Sequence, residues 1–201
     1  MAVSWINVLL ATGLLGIGPA VLGCGADATD GDVALESANL LLPLSAQASG
    51  ACRLKAHLDG DEEVPPRDTQ AVGQVLFRLN ASETELSYKL IVANIDNVIA
   101  AHIHLGPPGV NGPVVLFLAG PFTPAGGPSN GVLAQDTVTA ADLVGPLAGQ
   151  PLSALVDEMR AGNTYVNVHT SDGVPPDNTG PGDFPGGEIR GQIEPIGACR
   201  K

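Results

Sequence analysis

Apolar and polar side chains alternate in short runs along most of the chain beyond residue 52, and long stretches of helical period are scarce. Alternation by two sends successive side chains to opposite faces of an extended strand. It predicts strands at 52–58, 71–79, 85–93, 98–105, 113–118, 164–170 and 187–194. Asp59-Gly60-Asp61 turns the chain after the first run, and Val64-Pro65-Pro66 breaks pairing because proline lacks the backbone donor. Residues 80–84 read as a hairpin loop, and the glycines and prolines of 106–112 as a tight, rigid turn. One segment departs from this rhythm. Leu152, Leu155, Val156 and Met159 recur at helical spacing, with Pro151 or Ser153 as a start and Gly162-Asn163 as a stop, so a helix is expected near 151–161. A shorter turn is expected at Thr139-Ala140-Ala141-Asp142, and residues 171–186 form a long loop of Pro, Gly, Asp and Asn.

Composition sharpens the class. The 201 residues include 26 glycines and 17 prolines, with aromatics at only 3%. Such a chain builds its core from Val, Leu, Ile and Ala, which suits an all-β sandwich or barrel with one short helix in a long connection. A net charge of −12 with nine Lys plus Arg argues against nucleic acid or an anionic lipid surface as partner, since both would be repelled.

Four segments are expected. Residues 1–23 are almost wholly apolar or small, and 8–22 fits the apolar region of a secretory signal peptide. Val21-Leu22-Gly23-Cys24 resembles a bacterial lipobox, in which Cys24 becomes a lipidated first residue, although no Lys or Arg precedes the apolar region. Plain cleavage and an uncleaved anchor are the alternatives, and all three place the remainder outside the cytoplasm, as a cell-envelope lipoprotein or a secreted protein. Residues 24–51, rich in Ala, Asp, Ser and Gly, read as a flexible linker in which 33–44 can form a transient helix. Residues 52–195 are the domain and 196–201 a tail carrying Cys199. With Cys24 lipidated, Cys52 and Cys199 remain, and in an oxidising compartment they are expected to pair; two free thiols are the alternative.

Three of the four histidines fall in two alternating stretches. His102 and His104 share one strand face with Ile103 opposite, and Tyr165, Asn167 and His169 share another. If the two faces coincide, three neutral imidazoles converge, a donor set that prefers copper or zinc to hard cations and loses affinity as pH falls through about 6.5. The competing reading is a structural polar cluster. Glu188 and Arg190 alternate around Ile189 and either pair with each other or extend the histidine cluster. His57 stands apart. Asp59, Asp61, Glu62 and Glu63 read as a solvated acidic turn, and Asp172, Asp177 and Asp183 receive a similar reading.

Glu63-Val64-Pro65-Pro66, Gly73, Ala101-His102-Ile103-His104-Leu105-Gly106, Asn111-Gly112-Pro113-Val114-Val115, Tyr165-Val166-Asn167-Val168-His169-Thr170 and Gly187-Glu188-Ile189-Arg190-Gly191-Gln192 together resemble the CHRD domain, over about residues 52–195. That resemblance implies an extracellular, antiparallel, Greek-key-like all-β domain acting as a binding or adhesion module, with no catalytic set and an unnamed protein or small ligand as partner. A weaker likeness is to copper/zinc superoxide dismutases. It implies His102, His104 and His169 as copper ligands and Arg190 as an anion-steering residue, but no histidine lies between His104 and His169 to serve as a bridging ligand, so efficient dismutation is not expected.

Overall fold

The structure, a computed structural model, describes residues 52–199. The expected signal peptide, Cys24 and the linker lie outside the described residues. Among the described residues nine strands form two sheets. They are β1 (Arg53–Leu58), β2 (Val72–Leu79), β3 (Leu86–Asp96), β4 (Val98–Leu105), β5 (Val114–Ala119), β6 (Pro128–Val138), β7 (Thr164–Thr170), β8 (Ile189–Gln192) and β9 (Glu194–Ile196). One sheet has the order β6-β3-β2-β1-β9 and the other β5-β4-β7-β8. Every pairing between neighbours is antiparallel. The result is the expected all-β sandwich.

Alternation explains the core between the sheets. Leu54, Ala56 and Leu58 of β1, Val75, Phe77 and Leu79 of β2, and Leu86, Leu90 and Val92 of β3 meet Ala101 and Ile103 of β4, Val166 and Val168 of β7, and Ile189 of β8, all buried. By the same parity His102, His104, Tyr165, Asn167 and His169 are left for the outer face of the four-stranded sheet. Every residue of β7 is nevertheless buried, so that outer face is itself roofed.

The one α-helix among the described residues, α1 (Leu152–Arg160), buries the four residues that revealed it, Leu152, Leu155, Val156 and Met159. Gly162 follows at φ 74°, a left-handed value natural for the residue that ends a helix. Thr139 caps a short 3-10 turn at Ala140–Asp142 through a reciprocal capping box with Asp142.

Two features differ from the sequence expectation. The alternation did not mark β6, an edge strand exposed at most positions, whose pairing with β3 is broken by register shifts after Leu90 and Val92. An edge strand with one partner and little burial need not alternate. The expected strand at 187–194 divides instead into β8 and β9, which belong to different sheets. At this corner Gly191 lies so close to β1 that a β-carbon there would strike the His57 carbonyl. Cys52 and Cys199 are joined by a disulfide, with their α-carbons 4.5 Å apart. The bond ties the start of β1 to the 3-10 turn Gly197–Cys199 that follows its sheet neighbour β9.

Candidate metal centre

Three loops cover the outer face of the four-stranded sheet. The turn after β4 is held by Arg190, which reaches Asn111, Pro107 and Val110. The turn after β1 brings Glu63 to Asn167. The long loop before β8 brings the Pro185 carbonyl to His169. Beneath them, cross-strand register sets His102 opposite Asn167, His104 opposite Tyr165 and Asn167 opposite Arg190.

The expected convergence of His102, His104 and His169 is observed: one ring nitrogen from each lies within 4.8 Å of the other two. Ring centroids are 5.7 Å apart for His102 and His104, 4.8 Å for His102 and His169, and 5.8 Å for His104 and His169. Backbone carbonyls fix the tautomers. His104 Nδ1 sits 2.9 Å from the Gly112 oxygen and His169 Nδ1 sits 2.9 Å from the Pro185 oxygen. A carbonyl only accepts, so both Nδ1 atoms carry the hydrogen and both Nε2 atoms offer lone pairs. His169 Nε2 meets His102 Nδ1 at 3.1 Å. His104 Nε2 is buried without a hydrogen-bond partner.

The rings are held neutral. Burial, with the neighbouring His169 and His104, lowers His102 to about 4. Burial lowers His169 to about 4 as well, against the raising effect of its bond to Pro185 and with help from His104. His104 is lowered by burial, opposed by its bond to Gly112, with Arg190 adding to the fall. Free imidazole loses its proton near 6.5, so these groups are lone-pair donors well into acid.

The surroundings revise several expectations. Arg190 is only 1% exposed. Its guanidinium carbon lies 3.5 Å above the Tyr165 ring, and Tyr165 in turn stacks on His104 at 4.9 Å and 11°. A guanidinium so covered braces the Tyr165 and His104 rings from behind and does not greet an anion in solvent. Glu188 does not pair with it. The Glu188 carboxylate accepts from Thr69 Oγ1 at 2.6 Å, Thr170 Oγ1 at 2.7 Å and the Gly182 amide at 2.9 Å, knitting the long loop to the sheet. Asp183 is likewise buried, taking the Thr179 amide and hydroxyl at 3.0 and 2.9 Å. Its role is to close its own loop, so it is not a solvated carboxylate.

Glu63 is the largest departure. It is not part of a solvated turn but 4% exposed beneath the roof. Its Oε2 lies 3.5 Å from Asn167 Nδ2, while Oε1 and Asn167 Oδ1 have no partner. Burial pushes its carboxyl up to about 7, against the lowering effect of Arg190, the Val64 amide, Arg67 and Asn167. The only sequence signal for it was membership of the Glu63-Val64-Pro65-Pro66 motif. Gly112 was marked only by membership of the Asn111-Gly112-Pro113 motif, and Pro185 and the half-exposed Phe117, whose ring meets His102 edge-on at 4.8 Å, had no signal of their own, because contacts from distant loops leave no local pattern. His57 lies on β1 of the other sheet, exposed and outside the cluster.

The family model of the CHRD domain matches residues 54–193, the span from β1 to the junction of β8 and β9. No curated protein and no solved structure matches the chain.

Proposed function

The chain belongs to the CHRD domain family, and from that premise we propose that it is an exported binding module, displayed at the cell envelope, that holds a copper or zinc ion on His102, His104 and His169. The observation carrying the metal reading is the buried, unpartnered Nε2 of His104. An orphaned buried acceptor costs roughly 1–3 kcal/mol, and a metal ion removes that cost while using the lone pair that the Gly112 carbonyl has left free. Spacing supports it. Two nitrogens bound at 2.0–2.1 Å in tetrahedral array stand about 3.3 Å apart, close to the 3.1 Å between His102 Nδ1 and His169 Nε2. His102 would free its Nδ1 lone pair by taking its other neutral tautomer, with the hydrogen on Nε2, and His104 would supply the third nitrogen of the set. Neutral imidazoles favour copper over zinc and both over magnesium or calcium.

Dismutation of superoxide is not part of the proposal. Among the described residues no further histidine stands beside the cluster to bridge a second ion, and Arg190 is covered. A non-catalytic adhesion module is the second reading, favoured by Val72, Leu76 and Val132, which are 46%, 44% and 52% exposed on the outer face of the five-stranded sheet. Among the described residues no helix is long and apolar enough to cross a membrane, and the disulfide and the family fit an extracellular protein. Attachment through a lipid on Cys24 draws its support from the lipobox-like Val21-Leu22-Gly23-Cys24; the mass of the mature N-terminus distinguishes it from plain cleavage.

Calorimetric titration with copper and zinc tests the metal reading. One equivalent of copper binds more tightly than zinc, His104→Ala weakens binding at least a hundredfold, and His57→Ala changes it less than twofold. Absence of copper binding, or equal effects of the two substitutions, overturns the metal reading and leaves the adhesion module.

A further inference from the structure

The exposed apolar face and the open groove beside the end of α1 offer nothing that selects an occupant, whereas the bracing around His104 joins buried Arg190 and Tyr165 to the more exposed Asn111 and the half-buried Gly112 through hydrogen bonds. Arg190 donates from Nη1 to Asn111 Oδ1 at 3.1 Å and from Nη2 to the Pro107 and Val110 carbonyls at 3.2 and 3.1 Å. Asn111 Nδ2 donates to the Val64 carbonyl at 2.8 Å, so one side chain ties the turn after β4 to both the arginine and the loop carrying Glu63. The next residue, Gly112, gives its amide to Tyr165 Oη at 3.1 Å and its carbonyl to His104 Nδ1 at 2.9 Å. A β-carbon at Gly112 would collide with the Leu105 carbonyl, so the turn has this closeness only with glycine. Tyr165 completes the brace, its ring between Arg190 and His104.

We propose that Asn111 and Tyr165, both gripped by Arg190, are positioning residues that hold the Gly112 carbonyl against His104 and so keep the His104 Nε2 lone pair turned toward the histidine cluster. The purpose of this device rests on the metal reading above, while the device itself does not. The proton on a histidine ring chooses between two nitrogens, and the partner of one decides the chemistry of the other. If the Gly112 carbonyl drifts, the hydrogen moves to Nε2 and the ligating lone pair is lost. Neither Asn111 nor Tyr165 touches the ion; each acts through the tautomer.

The test reads the tautomer directly. Long-range proton–nitrogen NMR spectra of the histidine rings, recorded on the full exported chain without metal, are expected to show His104 protonated at Nδ1 alone. Asn111→Ala and Tyr165→Phe are expected to give a mixture of tautomers at His104 and no change at His57. Zinc affinity should fall about 10–100-fold in Asn111→Ala, in keeping with losses of outer hydrogen bonds at metal sites. If both variants keep the wild-type His104 tautomer, or the tautomer changes with zinc affinity intact, the inference is overturned. Should the wild type bind no zinc, the metal reading falls and the tautomer spectra still decide the inference. Should Asn111→Ala fail to fold, Tyr165→Phe decides it, because that variant keeps the stacked ring and removes only the acceptor for the Gly112 amide.

Discussion

Replacing Glu63 with Gln is expected to stabilise the domain at pH 8 and to leave it nearly unchanged at pH 4.5. In the unfolded chain the carboxyl titrates near 4.5, and in the folded domain burial moves it to about 7. A raised folded value means that the native state binds a proton the unfolded state has released. The stabilisation is therefore complete below 4.5 and lost as pH rises through 7. At about 1.4 kcal/mol per unit, the difference amounts to about 3 kcal/mol, or a rise of about 6–12 °C in melting temperature for a domain near this size. A glutamine side chain at this position keeps the shape of the neutral acid, cannot ionise, and has an amide able to donate to Asn167 Oδ1, an atom now without a partner. The assay is denaturant unfolding of wild type and Glu63→Gln with the disulfide intact, at pH values from 4.5 to 8. The histidines contribute equally to both proteins and cancel. A stability difference that is flat across this range, or largest at the acid end, refutes the placement of Glu63 as a buried acid.

Metal affinity should persist below 6.5, where free imidazoles would already be losing it, because His102 and His169 are lowered to about 4 and burial lowers His104 as well; a decline that begins at 6.5 in copper titrations contradicts their burial. In the metal-free protein the same shift, from 6.5 to about 4 at His169, withdraws about 3 kcal/mol of stability as pH falls through that window. Acid unfolding of His169→Gln should therefore be shallower than that of wild type. Reduction of Cys52–Cys199, a crosslink spanning 147 residues, should cost about 5 kcal/mol by the chain-entropy relation, read as the difference between denaturation curves with and without reductant. Gly191→Ala should destabilise by about 3 kcal/mol or more, since its β-carbon meets the His57 carbonyl where β8 passes β1; a melting temperature equal to wild type would falsify that packing.

Strand parity made much of the domain legible in advance. His102 and His104 share a face for the same reason that Ile103 is buried in the core, and α1 announced itself through four leucine, valine and methionine positions that all prove buried. What escaped prediction depends on distant partners. Pro128–Val138 has one neighbour and mostly solvent around it, so it carries little hydrophobic pattern. Glu63 sits in an acidic run whose first members are indeed half-buried or exposed, and only the roof of loops makes the fourth carboxyl a buried one. Arg190 was found on the right face, yet its role changes from meeting an anion to bracing a ring, because accessibility is a property of the assembled loops and not of the strand.

The disulfide joins two chain positions whose strands already lie side by side, β1 against β9. A pull applied to the polypeptide on either side of the domain would pass through the sulfur bridge and bypass the 146 residues between its cysteines. The sheets, the roof loops and the histidine cluster would carry no tension. Tension entering along the chain from both sides would leave the geometry of the histidine cluster unchanged until a reductant severed the bridge.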